Sequence, residues 1–256
     1  MTVKKFGFGK IVCVLLLIAM VVVFSSCKKD EPAAPSPTDN GGTVKSGGKV
    51  EDRMVPLELE LPPLMLAGTP KNMSNVENLE KPRAKGQARP VMLVPAGTTN
   101  VALKKPVTST SLTPIVGVFE DITDGEKSGD GYVELDPFEQ SITIDLGASY
   151  EIYAIVIWHY HKETTVYYDV AVQTADDADF ITNVKTLFNN DTDNTHGLGI
   201  GTDKNYVESN EGKLIDAKGV VGRYVKCFSN SNLSSDYNHY IEVEVFGKEL
   251  FGKPVE

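Results

Sequence analysis

The sequence predicts an all-β sandwich or barrel over residues 99–247, and three observations carry the prediction. Short runs of alternating apolar and polar residues recur along this stretch. Polar clusters rich in Gly, Asn, Asp and Ser separate them. No run keeps a 3.6-residue amphipathic period for more than two turns. Several short strands joined by polar turns belong to a sandwich or barrel, and about 148 residues suit one such domain.

The expected strands are Val101–Val107, Ile115–Phe119, Ser141–Leu146, Glu151–His161, Val166–Ala175, Val184–Phe188, Tyr206–Ser209, Lys213–Ile215, Arg223–Ser229 and Tyr240–Phe246. Turns fall at ITDGEKSGDG, LGAS, NNDTDNTHGLGIGTDKN and SNSNLSSDYN, where Gly, Asn and Asp tolerate the backbone angles a turn needs. In SITIDLG, Ile142, Ile144 and Leu146 share one face and Ser141, Thr143 and Asp145 the other. In YIEVEVFG, Ile241, Val243 and Val245 face the core and Glu242 and Glu244 do not. EIYAIVIWHYH is apolar on both faces, which predicts a central strand with Trp158 in the core.

The preceding segments differ. Three Lys without an acid lead into a run of 14 apolar residues, IVCVLLLIAMVVVF, too short to span a bilayer as a helix but of export-signal length. Phe24-Ser25-Ser26-Cys27 follows and resembles the bacterial lipobox, which implies cleavage after residue 26 and lipidation of Cys27. Several acyl chains would anchor the protein stably, as one chain does not. Lys28-Lys29-Asp30-Glu31 resembles the surface-export signal of Bacteroidetes lipoproteins and implies an outer-membrane, surface-exposed location. Residues 27–51 read as a flexible tether rich in Pro, Gly, Ser and Thr. Residues 52–98 read as an extended strap along the outside of the next domain, because Val55 to Leu61 alternates apolar with acidic between prolines. Residues 248–256 form a short tail.

Charge narrows the partners. The chain has 25 basic and 35 acidic residues; removing residues 1–26 takes away three Lys and no acid, so −10 becomes −13. That balance excludes a general nucleic-acid binder and leaves the lipid as the only membrane contact. With Cys13 discarded and Cys27 lipidated, Cys227 stands alone in an apolar strand pattern, as a small buried residue.

Taken in order, NVALKKPVTST, ITDG, QSITIDLGASYEIYAIVIW, YYDVAVQTADDADF, GRYVKCF and EVEVFG resemble the discoidin (coagulation factor 5/8 type C) domain. That family belongs to the galactose-binding-like jelly rolls, which include the family 32 carbohydrate-binding modules. The resemblance covers about residues 99–247 and implies a jelly-roll β-sandwich. Three features depart from the family: Tyr132 stands in GYVEL where a Trp is usual, no disulfide ties the ends, and Asn189–Asn205 is a long insertion.

The resemblance implies a structural calcium held by backbone carbonyls, Asp124 of ITDG, and Glu242 or Glu244 of EVEVFG, with Asp121 and Asp130 nearby. A plain Asx turn at Asp124 is the alternative. It also implies a sugar site on loops at one end of the sandwich. Sugar binding needs an aromatic face and directional polar groups. Trp158, Tyr160, His161 and Lys162 of WHYHK, and Asn232, Asp236, Tyr237, Asn238 and His239 of SNSNLSSDYNHY, are the candidates, with a core position favoured for Trp158. His159 and His161 leave one strand face two residues apart, a spacing that suits a zinc pair, a ligand loop or ordinary strand-end hydrogen bonding. Asn189, Asp191 and Asp193 echo the start of a calcium loop, but position 12 is Ile200 and a polar loop is the better reading. Arg223 either reaches a ligand or pairs with an acid. No nucleophile elbow, metalloprotease motif or phosphate loop is present, so the expectation is a non-enzymatic module. Its expected ligand is a glycan or glycosylated surface, with a cell-envelope protein partner as the alternative.

Overall fold

A computed structural model describes residues 53–64, 73, 75–81, 83 and 87–250. The expected signal segment, Cys27, the whole tether, parts of the strap and the tail from residue 251 lie outside them.

The regular elements of the described chain are ten strands and one short 3-10 helix. The first two, β1 (Met54–Pro56) and β2 (Leu93–Pro95), pair antiparallel with each other. The rest form one wrapped antiparallel sheet: β3 (Thr99–Asn100), β4 (Val107–Ser109), β5 (Val133–Leu135), β6 (Glu139–His159), β7 (Ala171–Ala175), β8 (Lys185–Asn189), β9 (Lys213–Asn230) and β10 (Asn238–Glu249). The strand order is β3-β10-β6-β9-β7-β8, with β4 paired to β6 and β5 to β10.

Expected and observed strands differ where glycine changes the path. Ser141–Leu146 and Glu151–His161 are one strand, β6. Gly147, at φ 84, turns the chain at LGAS, and Asp145 Oδ1 accepts its N–H at 2.8 Å. In the same way β9 joins Lys213–Ile215 to Arg223–Ser229 through Lys218 and Gly219, both at positive φ. Val101–Val107 is not a strand, because Lys104 turns left-handed and its N–H goes to the Thr123 carbonyl. Ile115–Phe119 keeps only a bridge from Val116 to Glu134. Gly117 then turns the chain into a 3-10 helix, Phe119–Thr123, whose entry Asp121 caps through the Val118 N–H. Tyr206–Ser209 is a loop with Tyr206 and Glu208 buried, and β5 is a strand outside the expected set.

The inward residues make one core. Ile142, Ile144 and Leu146 meet Ile152, Ile155 and Ile157 of the same strand, together with Val225, Cys227, Val243 and Val245. Burial pushes the Cys227 thiol up to about 12, so it stays protonated and inert. The outward residues of β6 and β10 make a second apolar layer of Ala154, Val156, Trp158, Ile241 and Phe246. Leu57, Leu59 and Met92 from the preceding segment pack on it, while Glu58 and Glu60 point to solvent. Trp158 is fully buried there, donating Nε1–H to the Asn210 carbonyl at 2.9 Å. Gly212, at φ 63, lies so close that a Cβ would sit 2.7 Å from the indole, which excludes any side chain.

Candidate functional site

The site grows from strand pairing at one end of the sheet. β5 runs against β10, which sets Glu134 opposite His239. The chain leaving β6 then passes His239, with the Tyr160 N–H donating to the His239 carbonyl at 3.3 Å. In β5, Val133 and Leu135 go to the core, so Tyr132 and Glu134 take the other face. Tyr132 meets Tyr160 edge-on at 5.1 Å and His239 at 5.3 Å between ring centroids.

Both His239 nitrogens are engaged. Nε2 lies 3.0 Å from Glu134 Oε2 and Nδ1 lies 2.8 Å from the Tyr167 hydroxyl. A carboxylate only accepts, so Nε2 carries the proton and Nδ1 accepts from Tyr167 O–H. Burial lowers the His239 pKa below the ordinary value, and Glu134 pulls it back only in part. The imidazole is thus neutral around pH 7. This gives a pH dependence with a definite sign. The unfolded chain binds a proton on this residue more readily than the folded one, so its contribution to stability is complete above about pH 6.5 and shrinks as pH falls below it. Urea midpoints measured from pH 7.5 to 5 are expected to fall more steeply for the native chain than for His239→Gln.

Behind this layer lies a buried polar pair. His159 Nδ1 is 2.8 Å from Glu208 Oε1, both side chains are fully buried, and the His159 ring stacks on Tyr167 at 4.4 Å. His161 instead donates Nε2–H to the Lys127 carbonyl at 2.9 Å. The two histidines thus serve different partners and make no zinc pair with each other.

The expected sugar-contacting residues divide into two groups. Asn238 is buried and spends its whole amide on the chain: Oδ1 accepts from Ser231 N–H, and Nδ2 donates to the Asp136 and Phe138 carbonyls. Asn232 likewise braces Ser234, Ser235 and Tyr237. With buried His161, these are corrections to the expected ligand contacts, because their polar atoms point inward. Lys162 is tied to Asp130 by an ion pair. Asp236, Tyr237 and His239 do border the open surface. The bracing by Asn238 has a consequence: Phe138 is held at φ 65, unusual for so bulky a residue, with 61% of it exposed. Its N–H donates to the Asp236 carbonyl, which sets it close to Tyr237, itself 39% exposed. Tyr132, Glu134 and Phe138 were not among the expected site residues. The alternation in GYVEL was the signal for the first two; the fixed φ of Phe138 depends on distant Asn238 and had none.

The expected calcium ligands also divide. Glu242 is buried; Oε2 accepts from the Gly125 N–H at 3.1 Å, and Oε1 is buried without a partner. Burial pushes this carboxyl up to about 9, with Glu244 and Asp124 adding to the shift. An orphaned carboxylate oxygen beside the Asp124 loop fits a hard cation. Asp124 also makes the Asx turn, accepting from the Glu126 N–H at 2.7 Å. Glu244 does not fit: Lys127 Nζ, 2.7 Å from Oε1, takes up its charge. Asp121 and Asp130 are spent on the 3-10 helix entry and on Lys162.

In the long insertion, Asp191 accepts backbone N–H groups of Thr195 and His196, which closes the polar loop. Its carboxylate lies within 4.8 Å of those of Asp169 and Asp193. Arg223 forms a bidentate pair with Asp145 at 2.7 and 2.8 Å, so it serves structure. Two surface clefts lie apart from the aromatic strip, one beside Phe188 and Lys213, the other beside Tyr150 and Lys248.

No protein-family model and no curated protein matches the sequence. Among solved structures, the chain is similar to a family 89 glycoside hydrolase of Clostridium perfringens in complex with GlcNAc-α-1,4-galactose. That match has 21% identity and a TM-score of 0.44, over 61% of this chain and 15% of the hydrolase. It is also similar to the family 32 carbohydrate-binding module of AlyQ in complex with 4,5-unsaturated mannuronic acid, at 18% identity and a TM-score of 0.41, over 55% of this chain and 93% of the module. A fucose-binding module of Streptococcus pneumoniae matches at 19% identity and a TM-score of 0.41, over 59% and 99%. The chain thus spans only a small part of the hydrolase, and nearly the whole of each module resembles part of this chain.

Proposed function

We propose that this protein is a non-catalytic carbohydrate-binding module, held at the outer membrane surface by a lipid on Cys27. The observation that carries the reading is the convergence of Tyr132, Tyr160 and His239 with a carboxylate oxygen of Glu134 that has no partner among the described residues. Aromatic rings accept the C–H face of a pyranose, and a carboxylate oxygen accepts two of its hydroxyls in fixed directions. The neighbouring solved structures named above bind sugars, in keeping with this reading. A glycan array probed with the exported domain tests it: binding is expected, and its absence alongside one stoichiometric captured envelope protein would favour the partner reading instead. Exposed Leu112, 94% accessible on a loop tied to Asp136, gives that second reading its surface. Loss of palmitate labelling in Cys27→Ala tests the anchor.

The same reading includes one calcium at Glu242 and Asp124, with loop carbonyls completing the shell and the ion holding the 122–131 loop to β10. Calcium is expected to raise the melting temperature by about 5 °C, roughly 2 kcal/mol for a domain of this size. EDTA should reverse the effect and Glu242→Gln abolish it. A melting curve indifferent to calcium in the native chain would remove the ion from the proposal.

A further inference from the structure

We infer that the site selects for a sugar carrying a free, protonated amine, and that Glu134 determines the selection. The inference rests on the glycan reading and names the ligand class of that site.

The charges around the strip lead to it. Glu134 is half-buried between Val116 and His239, its neighbours across the sheet. Oε2 accepts from His239 Nε2–H, and Oε1 is left for a ligand. His239 offsets the Glu134 charge weakly, because burial holds its pKa below the ordinary value and its second nitrogen is engaged by the Tyr167 hydroxyl. The nearby cations are committed elsewhere: Lys162 to Asp130, and Lys127 to Glu244. The carboxylates of Glu163, Asp136 and Asp236 stand exposed on the adjoining loops. The field over the Tyr132 and Tyr160 rings is therefore negative, and among the described residues no lysine or arginine cation contacts Glu134 or either ring.

An ammonium group gains twice at such a place. It forms a charge-assisted hydrogen bond with Glu134 Oε1, and it sits near the electron-rich faces of two tyrosines. An acetylated amine keeps the shape of the sugar but loses the charge. A uronic acid meets only repulsion.

The test is calorimetry at pH 6, where the sugar amine is protonated. The probes are a β-1,4-glucosamine tetramer, its N-acetylated counterpart and a galacturonate tetramer. The native chain should bind the glucosamine tetramer at least about tenfold tighter than the acetylated one and should not bind galacturonate. Raising salt from 20 to 300 mM should weaken the glucosamine tetramer about threefold or more and leave the acetylated one nearly unchanged. Glu134→Gln keeps an oxygen for His239, so it should fold, retain the acetylated tetramer and lose most of the preference. Equal or tighter binding of the acetylated or acidic tetramer overturns the inference; if Tyr160→Ala then removes that binding, the glycan reading stands without it. No binding of any tetramer, together with a blank glycan array, overturns both.

Discussion

Changing Leu57, Leu59 and Met92 together to Ser is expected to lower the melting temperature by about 10 °C and to make the protein self-associate. These three side chains cover the outer apolar layer of β6 and β10, where Ala154, Val156, Trp158, Ile241 and Phe246 lie. A fully buried aliphatic side chain contributes about 1.5–3 kcal/mol; at partial burial, about 1–1.5 kcal/mol for each of the three is reasonable. The sum, about 3–4.5 kcal/mol, corresponds to roughly 10 °C at 2–4 °C per kcal/mol. Association follows because an uncovered layer of this kind is an apolar patch on a central strand pair. Polar clamps hold the same segment. Asn210 Nδ2 donates to the Pro62 carbonyl at 2.8 Å, and Arg89 donates to the carbonyls of Glu211 and Gly212. They fix the position of the segment but do not cover the layer, so they should not rescue the variant. Differential scanning calorimetry with light scattering reads both effects. A shift below about 2 °C without scattering would mean that the layer needs no cover.

How much of this was legible in the sequence depended on the range of the cause. The period of two in SITIDLG and YIEVEVFG is local, and the inward positions of Ile142, Ile144, Leu146, Val243 and Val245 followed from it. Ile241 did not: a register shift between Tyr240 and Glu242 moves it to the outer layer. Reading breaks at LGAS and at Asp216 to Gly222 was reasonable on composition. Yet the chain passes through both as continuous strands, because a glycine absorbs the turn while the partner strands keep pairing. Asn232 and Asn238 looked like ligand groups because polar loop residues often are. Asn232 instead braces its own turn, from Ser234 to Tyr237, and the Asn238 amide is consumed by the Asp136 and Phe138 carbonyls, about a hundred residues away. Glu242 and Glu244 were indistinguishable by spacing; Lys127, from another loop, separates them. Local periodicity was readable, whereas the partners of each buried polar atom required the tertiary fold.

Tyr160→Ala is expected to weaken the best glycan ligand by about 30-fold while the protein stays folded. An aromatic ring stacked in a binding site is commonly worth about 2 kcal/mol or more on truncation, and 1.4 kcal/mol is a factor of ten. Tyr160 lies just beyond the end of β6 and is partly exposed, so its loss leaves the core of Ile155, Ile157 and Val243 intact. Its backbone N–H, which the substitution keeps, holds the His239 carbonyl. Glu134 and His239 therefore remain paired, and the effect isolates the ring. Tyr237→Ala is the proper contrast. Tyr237 is more exposed and stands beside Phe138 at the rim, where truncation usually costs little; about threefold is expected. Titration of each variant against the ligand chosen by the array gives the ratio. If Tyr237→Ala costs more than Tyr160→Ala, the sugar lies on the rim loop with Phe138 rather than over the Tyr132 and Tyr160 pair. The carboxylate of Glu134 would then have no part in holding it.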